Sequence, residues 1–379
     1  MGKRIIVDLL GFTGARGGTE TYAREILPRL PGALPGVELI ALTGRAGADR
    51  VRAFFPGRVE VLRAVGADRV SWAAGEVLLA DARARRMHAD LLWTPSNFGP
   101  IRRGVARVAT IHDVIYDEVK GSLPGRAVRA TTAWLMRRSA LTADGVITIS
   151  ETAAAAISRQ FGLPRRSLHV VPNGSSAPHP SDSRSLDVLG LDPARPLVLS
   201  SGNRMPHKNF EGLLRALAAI PREHRPQAVI TGGRGGDPLT PVVSSLGLGD
   251  DVVLPGWVTP SQLEALYARA TVYACPSTAE GFGLPIVDAL RRGCRVVAND
   301  IPVLREIGGD AVVYADATEP GAFARALTEA LSAPLTEAER TAGREWAERF
   351  TWEAAAEGTA AVLQAALSAH DPQQPGGRA

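Results

Sequence analysis

Residues 273–288 read YACPSTAEGFGLPIVD, and this stretch has the pattern of a strand end, a glycine-flanked turn and a helix start. The β-branched and aromatic residues at 271–274 suit a buried strand, which Pro276 ends because proline donates no ladder hydrogen bond. Pro285 suits the first turn of a helix, where its missing N–H needs no partner. The stretch therefore predicts a strand–turn–helix unit.

The turn of this unit carries groups that suit a ligand with phosphates and hydroxyls. Glycines at 281 and 283 let backbone N–H groups approach a ligand closely, and a helix N-terminus attracts anionic oxygens. The carboxylates of Glu280 and Asp288 can accept hydrogen bonds from hydroxyls. A sugar diphosphate has both kinds of group. A buried turn without a ligand is the alternative, and the strand–turn–helix context favours the ligand site.

The segment at 280–285 reads EGFGLP, and seven residues separate its Glu280 from Asp288. This pattern resembles the E-x7-E motif of glycosyltransferase family four. These are retaining, nucleotide-sugar-dependent enzymes with the GT-B fold. The resemblance implies an α/β protein with two Rossmann-like, doubly wound domains and an interdomain cleft. It also implies catalysis by Glu280 and ribose binding by Asp288, although Asp288 is one methylene shorter than the usual Glu. The backbone contacts to sugar and phosphate would come from Gly281, Phe282, Gly283 and Leu284.

A second glycine-rich segment, GFTGARGG at 11–18, follows a short apolar strand and precedes a helical pattern. Backbone N–H groups in such a loop can hold phosphate, although the segment is neither G-x-G-x-x-G nor a Walker A motif. By resemblance, Gly17 and Gly18 bind the donor diphosphate. A turn that needs positive φ is an equally good interpretation of the loop alone.

His112 and Asp113 follow the strand predicted at 107–111, where ligands collect in open α/β sheets. A lone histidine there would more often be structural, but the pair is similar to the H-D pair of family four. The resemblance implies that His112 contacts the transferred sugar. Its imidazole or carbonyl could offset the positive charge that develops at the anomeric carbon.

Two further segments in the C-terminal half suggest donor contacts. Arg204 and Lys208 stand between a predicted strand and a helix, and the resemblance makes them a diphosphate clamp. Gly256, Trp257 and Val258 are similar to the segment that meets the nucleobase, although an isolated tryptophan is more often core.

The length of 379 residues exceeds what one hydrophobic core usually supports, so two domains are expected. The Pro/Ser-rich residues 175–185 are the predicted linker. We expect an N-terminal, acceptor-side domain at 1–178 and a nucleotide-sugar-binding domain at 179–352. By resemblance, the helix at 353–379 returns to the first domain, and its tail is expected to be disordered.

The net charge of +4 conceals an asymmetry, because residues 1–178 hold 25 Lys and Arg against 15 Asp and Glu (+10) and the remainder is −6. A basic half attracts anionic partners, but no nucleic-acid-binding motif accompanies it. The helix predicted at 123–141 carries Arg126, Arg129 and Arg137 near Trp134. It is either a solvated face or a contact with an anionic membrane or acceptor.

Apolar runs are too short to cross a bilayer, and no signal peptide is recognisable, so the expected location is cytoplasmic, either free or peripheral at the inner face of the membrane. Cys275 and Cys294 lack the spacing of a zinc site and are interpreted as core residues.

The expected activity is transfer of a sugar, in a mannosyltransferase-like manner, from a GDP-, UDP- or dTDP-sugar to a glycan, lipid-linked or small-molecule hydroxyl. No cofactor besides this co-substrate and no metal are expected, because a D-x-D motif is missing from the sequence. Three alternatives remain open at this point: a GT-B nucleotide-sugar epimerase, a non-catalytic sugar-nucleotide-binding protein and a membrane-surface scaffold.

Overall fold

The computed structural model describes residues 2–14, 17–115, 125–233 and 235–370. These residues form two compact units, the first made of 2–115, 125–174 and 352–370 and the second of 175–351. The first division, after residue 174, lies four residues before the boundary predicted after residue 178. The second division, after residue 351, lies one residue before the boundary predicted after residue 352. The last nine residues of the tail predicted to be disordered lie outside the described residues.

The first unit, in its described part, is built on a seven-stranded parallel sheet with the order β3-β2-β1-β4-β5-β6-β7. Parallel sheets are covered on both faces, which is why its strands are near-continuous apolar runs such as Ile5, Ile6 and Val7. The order reverses between β1 and β4. The strands are β1 Arg4–Leu9, β2 Glu38–Gly44, β3 Arg58–Leu62, β4 Leu91–Thr94, β5 Arg107–Thr110, β6 Gly145–Thr148 and β7 Leu168–Val170.

Seven α-helices precede residue 174 in the described part of the first unit. A π-helical turn, Gly75–Leu79, interrupts the helical stretch from Arg69 to Arg86. Ser150 is the N-cap of the helix Glu151–Phe161, since its Oγ accepts a hydrogen bond from Ala153 N at 3.0 Å. The helices are α1 Gly18–Ile26, α2 Leu30–Ala33, α3 Ala48–Arg52, α4 Arg69–Ala74, α5 Ala80–Arg86, α6 Arg126–Thr142 and α7 Glu151–Phe161.

The second unit repeats this plan, with six parallel strands among the described residues in the order β10-β9-β8-β11-β12-β13. Here the order reverses between β8 and β11. The short strand β13 was not predicted from the sequence. The strands are β8 Leu197–Ser201, β9 Gln227–Thr231, β10 Val252–Gly256, β11 Val272–Cys275, β12 Arg295–Asn299 and β13 Val313–Ala315.

The described part of the second unit contains seven α-helices. These are α8 Phe210–Ala219, α9 Thr240–Ser245, α10 Pro260–Arg269, α11 Leu284–Arg291, α12 Pro302–Gly308, α13 Pro320–Ser332 and α14 Glu337–Glu348, with α9 short. The chain breaks after α14 and then forms the last helix, α15 Trp352–Ala369. Helix α15 belongs to the first unit, where Thr359 Oγ1 lies 3.3 Å from Tyr22 Oη.

No helix in the described ranges is long and apolar enough to cross a membrane. Both cysteines are buried, as the sequence predicted, and burial raises the pKa of Cys275 to about 11 and that of Cys294 to about 12. Neither thiol is therefore reactive at neutral pH.

Candidate active site

Lys208 and Glu280 meet at the point where the strand order of the second sheet reverses. Lys208 follows β8 and Glu280 follows β11, and these two strands are neighbours in the sheet. The Lys208 Nζ lies 2.6 Å from Glu280 Oε1, with 14% and 10% of the two side chains exposed. Crevices at such reversal points are where open α/β sheets bind ligands. The structure thus places two predicted site residues in one ion pair.

The turn after Glu280 ends at the N-terminus of α11, and Gly283 supplies the conformation that this requires. Gly283 has φ 99°, in the left-handed region, and a Cβ there would lie 2.7 Å from Leu304 Cδ2. Leu284 is the first helical residue. The ring of Phe282 is buried and packs against Phe350 at 5.6 Å between centroids. Phe282 can therefore offer a ligand only its backbone.

Asp288 is partly buried on α11 and has a partner that the sequence analysis missed. Ser175 Oγ lies 2.5 Å from Asp288 Oδ1, and Arg292 Nη1 lies 3.8 Å from the same oxygen. Burial raises the pKa of Asp288, while Arg292 and the Ser175 hydrogen bond oppose this rise. Ser175 lay in the Pro/Ser-rich stretch interpreted as a linker, where nothing marked it as a site residue.

The guanidinium of Arg204, which is predicted to bind the donor diphosphate, is hydrogen-bonded to groups of its own unit. All three nitrogens of its guanidinium donate to acceptors of the protein, and its side chain is 9% exposed. Its ion pair with Asp237 has a shortest N–O distance of 2.7 Å. The acceptors are both carboxylate oxygens of Asp237 and the carbonyls of Gly202, Ile230 and Thr231. Arg204 thus links the ends of two strands in the described structure, and its role as a diphosphate ligand stays a prediction.

Trp257 lies at the carboxyl end of β10 and is 39% exposed, so it is not the core residue that an isolated tryptophan more often is. Gly256, with φ 72°, turns the chain immediately before it. Val258 follows at a partly buried position. The exposed ring suits stacking on a planar group.

The glycine-rich loop of the first unit follows β1 at the reversal between β1 and β4. Glu20 Oε1 accepts hydrogen bonds from Thr13 N at 3.1 Å and Gly14 N at 2.9 Å, and Arg50 Nη1 donates to both carbonyls. Gly14 has φ 77°. The turn that needs positive φ is therefore at Gly14, upstream of the two predicted ligands.

Gly17 and Gly18 have no conformational need for glycine within the described chain. Gly17 is extended, with φ 173°, and Gly18 is the first residue of α1. A Cβ at either position would meet no described atom within 4 Å. The role of Gly17 and Gly18 as diphosphate ligands stays a prediction.

His112 is buried beyond β5 and bonded to the loop after β4. Its Nε2 lies 2.8 Å from the Pro95 carbonyl oxygen, to which it can donate only as the Nε2–H tautomer, and its backbone N donates to Asn97 Oδ1 at 2.6 Å. The ring packs edge-on against Tyr22. Burial, partly opposed by the Pro95 hydrogen bond, lowers the pKa of His112 to about 4. The imidazole is therefore neutral at neutral pH.

Two buried carboxyl groups in the first unit were missed by the sequence analysis, although Asp8 stands out as an acid within an apolar strand. Burial raises the pKa of Asp8 to about 7, opposed by the hydrogen bond from Leu10 N and by Arg107. Burial and then the charge of Asp8 raise the pKa of Glu76 well above its usual range. Glu76 lies in the π-helical turn and accepts from Ser96 Oγ at 3.4 Å.

The described residues contain no group of three or more His, Cys, Asp or Glu side chains that could hold a metal ion. The candidate site residues of the second unit are the Lys208–Glu280 pair, the N-terminus of α11, Asp288 and Trp257. Those of the first unit, considered by itself, are the glycine loop and His112.

Comparison with known proteins assigns this arrangement to a family. Residues 182–347 match the family described as Glycosyl transferases group 1, and residues 16–176 match Glycosyltransferase Family 4. The chain belongs to glycosyltransferase family four. As a member of this family it is an enzyme that transfers a sugar, and its two sheets form the GT-B fold.

Among its family-four relatives is the O-antigen chain mannosyltransferase B of Escherichia coli, 28% identical over 84% of each chain. Among solved structures, a sucrose-phosphate synthase from Thermosynechococcus elongatus is 20% identical and superposes with a TM-score of 0.78, covering 97% of this chain and all of that chain. Anabaena HepE, in complex with UDP and glucose, is 19% identical with a TM-score of 0.73, covering 96% and 100%. At these identities the two structures show the fold alone.

Proposed function

We propose that this family-four enzyme moves a sugar from a nucleotide-sugar donor to an acceptor hydroxyl with retention of configuration and without a metal ion. The Lys208–Glu280 pair at the strand-order reversal carries the proposal, because it sets a cation beside a carboxylate and a helix N-terminus. Such a set suits a diphosphate and a sugar. The complex of Anabaena HepE with UDP and glucose supports a nucleotide-sugar, and the Escherichia coli relative supports mannose as the sugar.

In the proposed reaction, Lys208 exchanges its contact with Glu280 for the donor diphosphate. It then offsets the charge that the leaving group gains in the transition state, where a preorganised cation is most effective. The backbone at Gly283 and Leu284 would add N–H groups of a helix N-terminus. Glu280, once released from Lys208, would accept hydrogen bonds from hydroxyls of the sugar, and Asp288 would accept them from hydroxyls of the ribose.

The first unit contributes Gly17, Gly18 and His112 in this proposal. Because the His112 imidazole is neutral, it carries no charge that would repel a positive anomeric carbon, and no negative charge that would attract it. Its carbonyl and the lone pair of its Nδ1 are the groups that would stabilise the developing charge.

Replacing Lys208 tests the proposal directly. Lys208→Ala should lower transfer by roughly 10²–10³-fold, as expected for the loss of one charge-stabilising donor. Lys3→Ala is the matched control, because Lys3 forms a surface ion pair with Asp90 at 3.6 Å in the other unit. Wild-type turnover by Lys208→Ala would end the proposal.

Product analysis tests the finer points. Incubation with GDP-, UDP- and dTDP-sugars, monitored by thermal shift, should identify the donor, since a ligand that binds only the folded state raises the melting temperature. NMR of the product should show the anomeric configuration of the donor retained. An inverted product would refute the retaining mechanism, and epimerised donor without transfer would favour an epimerase.

We further propose that a lipid-linked or anionic acceptor brings the enzyme to the cytoplasmic face of a membrane through α6. Trp134 is about half exposed on this helix and Arg137 is exposed. Arg137 also donates through Nε to the Phe161 carbonyl at 3.2 Å, and the side chain of Arg126 lies outside the described residues. Vesicles with anionic lipid should sediment the wild type at low salt, and Trp134→Ser should weaken this binding. Equal sedimentation of the wild type and Trp134→Ser would show that α6 does not contact the membrane through Trp134.

A further inference from the structure

His207 joins the turn that carries Lys208 to the loop that carries Glu280. It lies in the single 3₁₀ turn Pro206–Lys208 after β8. Its carbonyl accepts hydrogen bonds from Thr278 N at 2.7 Å and from Thr278 Oγ1 at 3.3 Å. Because Thr278 is two residues before Glu280, the backbone of His207 sets the separation of the ion pair.

The imidazole of His207 has an unused ring nitrogen at this site. Its Nδ1 is buried and has no hydrogen-bond partner among the described residues. A buried polar atom without a partner costs free energy, so a ligand group that forms a hydrogen bond with this nitrogen would remove that cost.

The charges around His207 depend on whether a donor is bound. The charged groups that face it are Lys208, on its own turn, and Glu280, on the loop after β11. Burial and then Lys208 lower the pKa of His207, and Glu280 raises it. A diphosphate would add negative charge next to Lys208, and a nearby negative charge favours the imidazolium.

We propose that His207 is the second donor-phosphate ligand of this site, taking a proton from solvent when the diphosphate binds and returning it when the diphosphate leaves. This inference rests on the proposed function. His207 then fills the position for which the sequence indicated Arg204, whose nitrogens all donate to the protein. A cation that titrates would make donor turnover fall as the pH rises.

The test follows His207 in the full-length protein by NMR of ¹³C-labelled histidine, with UDP, GDP and inorganic pyrophosphate as probes. The His207 signal is assigned with His207→Gln. Its pKa should rise by about one unit or more when a probe binds, because one opposite charge nearby shifts a pKa by roughly that amount. The exposed His224, in the same unit, is the internal control and should not shift.

Kinetics supply the second readout. His207→Gln should lose roughly tenfold or more in turnover and lose the decline with rising pH, whereas His207→Lys should recover turnover and stay pH-independent, since lysine remains charged. His224→Gln should behave as wild type. If a probe binds in a Lys208-dependent manner while the His207 pKa does not move, this inference fails and the proposed function stands. If no probe binds the wild type, both fail.

Discussion

Replacing Arg204 with methionine tests whether this residue has a structural or a ligand-binding role. It removes the guanidinium but keeps much of the apolar volume of the side chain. The Asp237 carboxylate, 8% exposed, would be left without its cation, and the carbonyls of Gly202, Ile230 and Thr231 would lose their donor. Removing one partner of a buried ion pair costs about 3–5 kcal/mol. That is a large part of the roughly 5–15 kcal/mol by which a domain is stable.

Urea unfolding followed by circular dichroism measures this loss. Arg222→Met is the matched control, because the Arg222–Asp250 pair has a similar N–O distance, 3.0 Å, but is largely exposed. An exposed pair contributes about 0–1 kcal/mol, so the control should unfold almost as the wild type does. The double variant Arg204→Met with Asp237→Leu should recover part of the loss, because it leaves no buried unpaired charge.

The pH dependence gives a second check on the same pair. Burial raises the pKa of Asp237, but the hydrogen bond and charge of Arg204 outweigh it and leave the pKa lowered. A lowered pKa stabilises the fold above the carboxyl's unfolded pKa, and this contribution is lost as the pH falls. Arg204→Met should therefore lose less stability than wild type on acidification. If Arg204→Met unfolds at the wild-type urea concentration yet fails to bind donor, the structural assignment is wrong and the clamp is restored.

Three further predictions follow from the same geometry. Asp8→Asn should raise the free energy of unfolding at pH 8 by up to about 4 kcal/mol, because the raised pKa of Asp8 makes its contribution fall as the pH rises from about 4 through 7; equal urea midpoints for both proteins at pH 8 would contradict this. Gly283→Ala should lower the free energy of unfolding by about 1–3 kcal/mol, because the φ of Gly283 is 99°. Gly17→Ala, at an extended and uncrowded position, should unfold like wild type but turn over donor more slowly. Thermal melts of both variants and a donor-turnover assay of Gly17→Ala test these two expectations. EDTA should leave transfer unchanged, and a loss restored only by Mg²⁺ or Mn²⁺ would show that a metal carries the diphosphate charge.

Local sequence pattern determined the class of the fold and the position of the central turn. Apolar runs bounded by turn residues predicted strands such as those at 107–111 and 271–274, because a strand buried on both faces must be apolar along its length. The strand that was missed, β13, has three residues and offers no such run. Gly283, with its left-handed backbone, and Pro285, in the first turn of α11, marked the turn because each residue type is favoured by the local backbone conformation.

Only the tertiary structure decided which charges face each other. Lys208 and Glu280 are 72 residues apart and meet because β8 and β11 are neighbours in the sheet. Asp237 neutralises Arg204, and Ser175 reaches Asp288 from a stretch that looked like a linker. A sequence states which side chains are charged or polar. Whether a cation is free for a ligand depends on which acceptors the fold brings within hydrogen-bond distance, and strand order, a long-range property, sets those distances.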